Sequence, residues 1–230
     1  MNISWNNSVK GAVLSLENAS KLIRDADILF ENQRYPTAYF LAQIAFEEIS
    51  KVELLLVPHL GKDLEKLGLV SNKSKVDWQK ILNSSFKSHK VKNSIASYYL
   101  PKSKKEASAK TIQQAIQAFN LHKKTFHKKT NLLKNTSLYV SFEKKKFYAP
   151  ESRISKKQAS GMIRDSCYYW KTQFRLLHAN IRYHNDKRFR KKSILLLKEI
   201  FNMKTPSNLD EIKELEKTYR TLVKKIAKDS

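Results

Sequence analysis

Apolar residues recur at three- and four-residue steps along most of the chain, the pattern typical of amphipathic α-helices. In the first predicted helix, over residues 8–32, they share one face: Val9, Val13, Leu16, Ile23, Ala26 and Phe30. The second helix is predicted to begin at Pro36 and to end near Val57, because Pro58 and Gly61 follow. Four further helices are predicted over about 75–99, 103–134, 155–184 and the segment KRFRKKSILLLKEIFNMK. A last helix after TPSN carries a heptad seam, Ile212, Leu215, Tyr219, Leu222 and Ile226.

The period changes in SLYVSFEKKKFYAP, residues 137–150, where β-branched and aromatic residues flank a charged turn. This pattern predicts a short hairpin or an ordered loop. We expect its aromatic residues, Tyr139 among them, to seal the bundle. The chain is therefore predicted to be all-α, with a helical bundle over residues 1–185. A basic helical extension over residues 186–230 is expected to pack on the bundle or on a second subunit.

Composition supports a helical protein and excludes several classes. Only 4 of the 230 residues are glycine and 5 are proline, which argues against an all-β fold with many tight turns. The single cysteine, Cys167, excludes an internal disulfide and indicates a reducing compartment. No apolar run approaches the roughly 20 residues that span a bilayer, and the N-terminal segment lacks the layout of a signal peptide. We therefore expect a cytoplasmic protein without a membrane segment.

The net charge of +24 is unevenly distributed. Residues 1–70 contain 7 Lys and Arg against 9 Asp and Glu, whereas residues 71–230 contain 38 against 12. Two interpretations are open. The lysines are solvated surface, or the later helices present a face to an anionic partner such as RNA, the ribosome or an acidic protein. Composition does not choose between them.

Charged residues lie in the middle of the apolar second helix. At about 100° per residue, Glu48 falls at the edge of the aliphatic arc, whereas Glu47 points to the opposite side with Lys51 one turn further on. We therefore expect Glu47 and Lys51 to form a surface pair, and Glu48 to be buried. A buried carboxylate needs a partner. The candidates are His89 and His184, which lie on the apolar stripes of their own helices, or a lysine or arginine.

A row of basic residues follows the fifth predicted helix, within about 60° of one another: Lys157, Arg164, Lys171, Arg175, His178 and Arg182. The row lies beside the apolar stripe. It is either a solvated edge or a surface that binds phosphates or an acidic partner. In the second case, Arg175, His178 and Arg182 could cleave RNA without a metal, because the arginines would stabilise the phosphate while the histidine moves a proton.

The histidines and the cysteine lack the spacing of a metal site. The six histidines include no HxxxH pair on one helical face, and no Cys–His spacing resembles a zinc site. We expect neither a metal nor another cofactor.

Three motifs in this order resemble a known family. The segment YPTAYFLAQIAFEEISKVELLL is similar to the second helix of the HEPN superfamily. More closely, the ordered set resembles the AbiV family of bacterial abortive-infection proteins over roughly residues 8–185. The motifs are EEISK (Glu47, Glu48, Lys51), FKSHKVK (His89, Lys90, Lys92) and SLYVSF (Tyr139).

The resemblance implies a HEPN-like helical bundle that defends bacteria against phage by arresting the infected cell. HEPN proteins commonly form dimers and often act on RNA. Their ribonuclease members carry Arg, four to six residues, then His, whereas Arg175 and His178 here have two residues between them. We therefore expect a homodimeric effector without constitutive catalysis, which a phage-encoded protein switches on to block translation. Lys90 and Lys92 are expected to join the basic row in binding RNA or a partner.

Two alternatives remain: a metal-independent ribonuclease using Arg175, His178 and Arg182, and an RNA-binding module without toxicity.

Overall fold

The computed structural model describes residues 3–66, 88, 92, 121, 125, 126 and 128–202, with the side chains of 60–66, 192 and 196–202 left aside. Helix α1 spans Trp5–Glu31 and α2 spans Tyr35–Lys66. Residues 128–136 are helical. Strands β1, Ser141–Glu143, and β2, Lys146–Tyr148, precede α3, Pro150–Arg153, α4, Lys156–Asn185, and α5, Lys187–Asn202. The all-α prediction with one short hairpin is confirmed. The helix predicted over 75–99, most of that over 103–134, and the heptad seam lie outside the described residues.

Helices α1 and α2 form an antiparallel pair with a very short connection. Ser4 caps α1, because its Oγ accepts a hydrogen bond from the Asn7 backbone N–H at 3.3 Å. At the other end, Gln33 adopts a left-handed φ of 59°, which lets the chain reverse before Tyr35. Near the end of the pair that is distant from this connection, Ser8 Oγ of α1 lies 2.8 Å from His59 Nε2 of α2. The pair therefore remains in contact along most of α1.

The buried face of α1 consists mainly of small residues: Ser8, Ala12, Ser15, Leu16, Ala19 and Ala26. Leu16 and Ala26 were expected there, but Val13 is 37% exposed, so the predicted stripe is wrong in part. Small side chains allow two helix backbones to approach closely, which the aliphatic residues of the predicted stripe would prevent. Gly11 shows the same closeness, since a Cβ at this position would lie 3.0 Å from Leu55 Cδ1.

Helix α2 is the central helix of the bundle and is longer than predicted. It continues through Pro58 to Lys66, so the prediction that it ends near Val57 is wrong. A proline inside a helix removes one backbone hydrogen bond, but Pro58 is itself buried and follows a run of buried residues, Leu54, Leu55 and Leu56. Packing of this run outweighs the local cost.

Helix α4 packs against both α1 and α2. The Ser166 hydroxyl, fully buried, lies 2.8 Å from the Ala42 carbonyl oxygen of α2. The rings of Phe46 and Tyr169 are in contact, with centroids 5.0 Å apart. Trp170 Nε1 donates a hydrogen bond to the Leu16 carbonyl oxygen of α1 at 2.9 Å. The three long helices thus share one core.

The predicted hairpin is confirmed at residues 141–148. Strands β1 and β2 are antiparallel, with Ser141 opposite Tyr148 and Glu143 opposite Lys146. The two turn residues, Lys144 and Lys145, have φ of 48° and 64°. This left-handed conformation costs a non-glycine residue about 1–2 kcal/mol. Hairpins with such a turn favour Asn-Gly, so two lysines are an unfavourable choice for stability.

The chain divides into two compact units. Of the described residues, the first contains 3–59, 88, 92, 125, 126 and 128–177, and the second contains 60–66, 121 and 178–202. In the second unit, Asp186 caps α5, accepting hydrogen bonds from the backbone N–H groups of Arg188 and Phe189. The bond from Phe189 is the main cause that lowers the pKa of Asp186. The expected division at residue 185 stays a prediction.

The observed face of α1 can be tested with two neighbouring substitutions. Ala12→Leu inserts a large side chain where α1 is fully buried, so we expect it to lower the free energy of unfolding by about 1–3 kcal/mol. Val13→Leu, at the more exposed neighbouring position, is the matched control and should change stability by less than about 0.5 kcal/mol. Urea denaturation measures both. Greater damage from Val13→Leu would restore the face expected from the sequence.

Candidate functional site

A buried carboxylate with two lysine partners lies at the centre of the first unit. Glu47 is 2% exposed, and its Oε1 accepts a hydrogen bond from Lys134 Nζ at 3.0 Å. Its Oε2 lies 3.7 Å from Lys92 Nζ. Both lysines are 6% exposed. These three residues, called the Glu47 cluster below, connect α2 to two segments that are distant in sequence.

Glu47 is buried because α2 is covered on both sides. The ring of the neighbouring residue, Phe46, contacts the ring of Tyr169 of α4. It also contacts the ring of Phe126, with the two centroids 5.8 Å apart. Ser50, one turn later, is fully buried and donates to the Glu47 carbonyl oxygen at 2.7 Å. The prediction of a surface pair between Glu47 and Lys51 is therefore wrong, because Glu47 is buried. The prediction assumed that the side of the helix opposite the aliphatic arc faces solvent, whereas other elements cover it here.

Glu48 has the role that was expected of its neighbour. It is half-buried and forms a salt bridge with Lys51 at 2.5 Å, one turn along the same helix. Asn18 Nδ2 of α1 donates a further hydrogen bond to Glu48 Oε2 at 3.3 Å. The prediction that Glu48 is the buried carboxylate is therefore wrong. A carboxylate in this motif with a lysine partner from another segment does exist, but it is Glu47.

The two histidines proposed as partners have different outcomes. His89 lies outside the described residues, as does Lys90. His184 belongs to the second unit, where it is half-buried and its ring lies edge-on to the Tyr183 ring, with centroids 5.3 Å apart. Its carbonyl oxygen accepts a hydrogen bond from Arg190. These contacts are those of a packed histidine.

The pKa of Lys92, a member of the Glu47 cluster, is lowered from its ordinary value. Burial is the main cause that lowers its pKa, while the Glu47 carboxylate opposes that effect and Lys51 adds to it. An ammonium group removed from water is costly unless it is paired, and Glu47 provides the pair. Lys92 was expected on a surface that binds RNA or a partner. That prediction is wrong, because the side chain is buried.

The side chains of the Glu47 cluster are buried and contact one another, so the cluster is not open to solvent. Lys134 is anchored at the end of its helical segment, where Ser137 Oγ donates to the Lys134 carbonyl oxygen at 2.6 Å. Nothing in the sequence around Lys134 indicated that it would meet Glu47, 87 residues away. Within residues 3–66 and the later described stretches, no group of three His, Cys, Asp or Glu residues could hold a metal ion.

The basic row of α4 is exposed, as both of its interpretations require. Lys157, Lys171, Arg175 and His178 are exposed, and the Arg164 side chain is 78% exposed. Arg182 differs, because it is half-buried, lies 3.7 Å from Asp186 and has its guanidinium 4.6 Å from the centre of the Phe189 ring. Whether the row binds RNA or a partner stays a prediction.

The hairpin exposes apolar residues instead of sealing the bundle. Tyr139 is 66% exposed, so the expectation that it seals the core is wrong. The hairpin surface, as it is called below, consists of Leu138, Tyr139, Val140, Phe142 and Phe147. Its signal in the sequence is the order FEKKKF, since alternation in two short strands places both phenylalanines on one face.

An open cavity of about 320 Å³ lies between α1 and α4. Trp170 and Phe174 stack in its wall, with ring centroids 5.3 Å apart and planes 9° from parallel. Its lining combines apolar and charged residues: Val13, Leu16, Glu17, Ser20, Lys21, Arg24, Trp170, Phe174 and Leu177.

Among the helices that the structure describes, none has the length and hydropathy to cross a membrane.

Comparison with known protein families matches residues 7–166 to the family HEPN_AbiV, described as AbiV. The match includes all but the first two residues of α1, and all of α2, the Glu47 cluster, the hairpin and the first third of α4. Arg175, His178 and Arg182 lie beyond it. Comparisons with curated proteins and with solved structures gave no match.

The first prediction for this site compares adjacent glutamates. Glu47→Gln leaves two buried ammonium groups facing a neutral amide, so we expect the free energy of unfolding to fall by about 3–5 kcal/mol. Glu48→Gln removes a half-buried pair and should cost about 1 kcal/mol or less. Urea denaturation of the purified chain measures both. Equal losses would show that the cluster does not carry the electrostatic weight assigned to it.

The second prediction concerns pH. Because the pKa of Lys92 is lowered on folding, the unfolded chain binds more protons than the folded chain between that pKa and the ordinary value of 10.5. The free energy of unfolding should therefore rise with pH across this window, relative to Lys92→Met. Urea denaturation at a series of pH values up to 10.5 measures the difference, with Lys128→Met as an exposed-lysine control. A difference that stays constant or shrinks would contradict the burial of a charged Lys92.

Proposed function

The chain belongs to the HEPN_AbiV family, and on that premise we propose that it is a cytoplasmic, homodimeric effector of abortive infection. Family membership supports a role in antiphage defence. In the finer proposal, a phage-encoded protein switches the effector on, and the active effector arrests translation in the infected cell. The observation that carries the proposal is the match over residues 7–166, which covers the helical bundle and the hairpin.

Charge supports an anionic target. The first 70 residues have a slight acidic excess, so the net charge of +24 comes entirely from the rest of the chain. Arg164, Lys171 and Arg175 display part of this charge on the exposed side of α4. Ribosomes and RNA are polyanions, and a cluster of exposed cations attracts them through long-range electrostatics and the release of counterions. The translation apparatus is therefore the target that this charge distribution favours.

The Glu47 cluster offers a place for the switch. A switch requires an element with two arrangements whose balance a partner can shift. The cluster connects α2 to Lys92 and Lys134 through a few charged contacts. Separating these contacts would release three segments at once. In this proposal, the intact cluster belongs to the idle state.

Ribonuclease activity is the second candidate. His178 is exposed, and Arg175 and Arg182 lie three residues before and four residues after it, on the same side of the helix. A histidine with two nearby guanidinium groups has the chemistry for metal-independent RNA cleavage. However, Arg182 is already paired with Asp186, and the three residues lie outside the matched region.

The test is expression of the chain in a bacterial host that is then challenged with phage. We expect plaque numbers to fall at least about tenfold, and incorporation of a labelled amino acid to stop in infected cells while uninfected cells grow normally. Phage genes expressed one at a time with the chain should include one that arrests growth. Normal growth with every phage gene would contradict the proposed trigger, and continued protein synthesis during arrest would contradict the proposed target.

His178→Ala separates the two candidates. The effector proposal expects full protection, because His178 then has no catalytic task. Asn185→Ala, which also removes an exposed polar side chain of α4 but lies outside the basic row, is the matched control. Loss of protection in His178→Ala, with the control and the melting temperature unchanged, would favour the ribonuclease.

A further inference from the structure

The hairpin has its apolar face turned to solvent. Phe142 and Phe147 are directly opposite each other, with ring centroids 4.8 Å apart. They are nevertheless 61% and 77% exposed. In an antiparallel sheet with one solvated face, the apolar face normally packs on the core and the polar face meets water. Here the face that carries the two phenylalanines is solvated.

Contacts on the other face hold the hairpin in this orientation. Glu143 and Tyr148 point to the side opposite the two phenylalanines, because side chains alternate along a strand. The Arg153 guanidinium of α3 forms a salt bridge with Glu143 at 2.7 Å and lies 3.9 Å from the centre of the Tyr148 ring. The outward position of Phe142 and Phe147 is therefore built into the fold.

The exposed apolar area continues into the residues before β1. Leu138, Tyr139 and Val140 are 39%, 66% and 62% exposed. Together with the two phenylalanines, they place five large apolar side chains at the surface within ten residues of chain. Isolated exposed apolar residues are common, whereas several large ones close together in the chain make this region a candidate interaction site.

The turn adds positive charge to this surface at a cost in stability. Lys144 and Lys145 occupy left-handed positions that Asn-Gly would fill more favourably, and Lys146 follows at once. Lys144 and Lys145 thus add positive charge at the tip next to the exposed phenylalanines, whereas Lys146, opposite Glu143, lies on the other face. Stability by itself favours other residues at these two turn positions. The presence of lysines there is therefore consistent with a role for their positive charge.

We propose that the hairpin surface, with Lys144 and Lys145 at its tip, docks a protein partner that has an apolar centre and an acidic rim. Two copies meeting tip to tip would bring lysines against lysines, so an acidic partner complements this surface better than the same surface of a second copy does. In the function proposed above, this partner is the phage-encoded trigger. That identification rests on the proposed function, whereas the docking surface rests on the hairpin itself.

The composition of the surface favours protein over nucleic acid. Single-stranded nucleic acids are bound by bases stacking on aromatic rings beside cations. Leu138 and Val140 have no ring, and the rings of Phe142 and Phe147 pack against each other. Arg153, the nearby guanidinium, is occupied by Glu143 and Tyr148. Aliphatic side chains around an aromatic pair fit an apolar protein surface better.

The test measures binding of fluorescein-labelled probes to the purified chain. The protein probe is a synthetic peptide of about 20 residues with Leu and Phe at helical spacing and Asp and Glu between them. The nucleic-acid probe is an oligouridylate of about 12 nucleotides. One variant, Phe142→Ser with Phe147→Ser, removes the aromatic pair. A second, Lys144→Asn with Lys145→Gly, removes two tip charges and introduces a favourable turn. Lys128→Gln with Lys129→Gln removes the same charge from an exposed helical segment and is the matched control.

We expect the peptide to bind the unmodified chain and to lose affinity at least about tenfold in both hairpin variants, but less than about twofold in the control. The turn variant should also melt a few degrees higher, so its loss of binding cannot come from unfolding. Failure of the peptide to bind, or equal binding by all variants, would overturn the proposal. Oligouridylate binding that depends on the phenylalanines would overturn it in favour of a nucleic-acid surface.

Phage challenge of the same variants separates this proposal from the proposed function. If the peptide results hold but the unmodified chain gives no protection, the docking surface stands and the proposed function fails. If the chain protects but the peptide does not bind, the function stands and the docking surface fails. If the peptide results hold and the Phe142→Ser, Phe147→Ser variant still protects fully, the partner is not the trigger.

Discussion

The bundle depends on one buried carboxylate that meets two lysines. Glu47 lies on the central helix, and Lys92 and Lys134 come from segments far along the chain. Burying any one of these charges separately would cost several kcal/mol. The three are therefore compatible with the core only when they are together. This requirement aligns α2 with two other segments more specifically than apolar contacts can, because apolar packing tolerates small shifts.

Close packing of the three long helices creates the setting for that cluster. Small residues on α1, such as Ala12 and Ala19, allow α1 to lie near α2. Helix α4 covers another side of α2 through Ser166 and Tyr169. With α2 enclosed in this way, a carboxylate that points away from the aliphatic arc still lies in the interior. The buried cluster is a consequence of how many neighbours α2 has.

The outer surfaces of the first unit have a different character from its core. The exposed side of α4 presents cations such as Arg164 and Lys171, which suit a polyanion. The hairpin presents Phe142 and Phe147 beside the two turn lysines, which suits a partner with both apolar and acidic groups. In the proposed function, one partner is recognised at the hairpin while another is bound along α4. An effector that senses one molecule and acts on another needs this separation.

The sequence by itself determined the all-α class, the hairpin near residues 137–150, the exposure of all of the basic row except Arg182, and the AbiV family. These features follow from local periodicity and from ordered motifs, which need no knowledge of neighbours. Only the tertiary structure decided that Glu47 rather than Glu48 is buried, that α2 continues past Pro58, and that Tyr139 faces solvent. Each of these depends on what packs against the residue from another element. A helical wheel or a strand alternation gives the relative directions of side chains but cannot say how many sides of an element are covered.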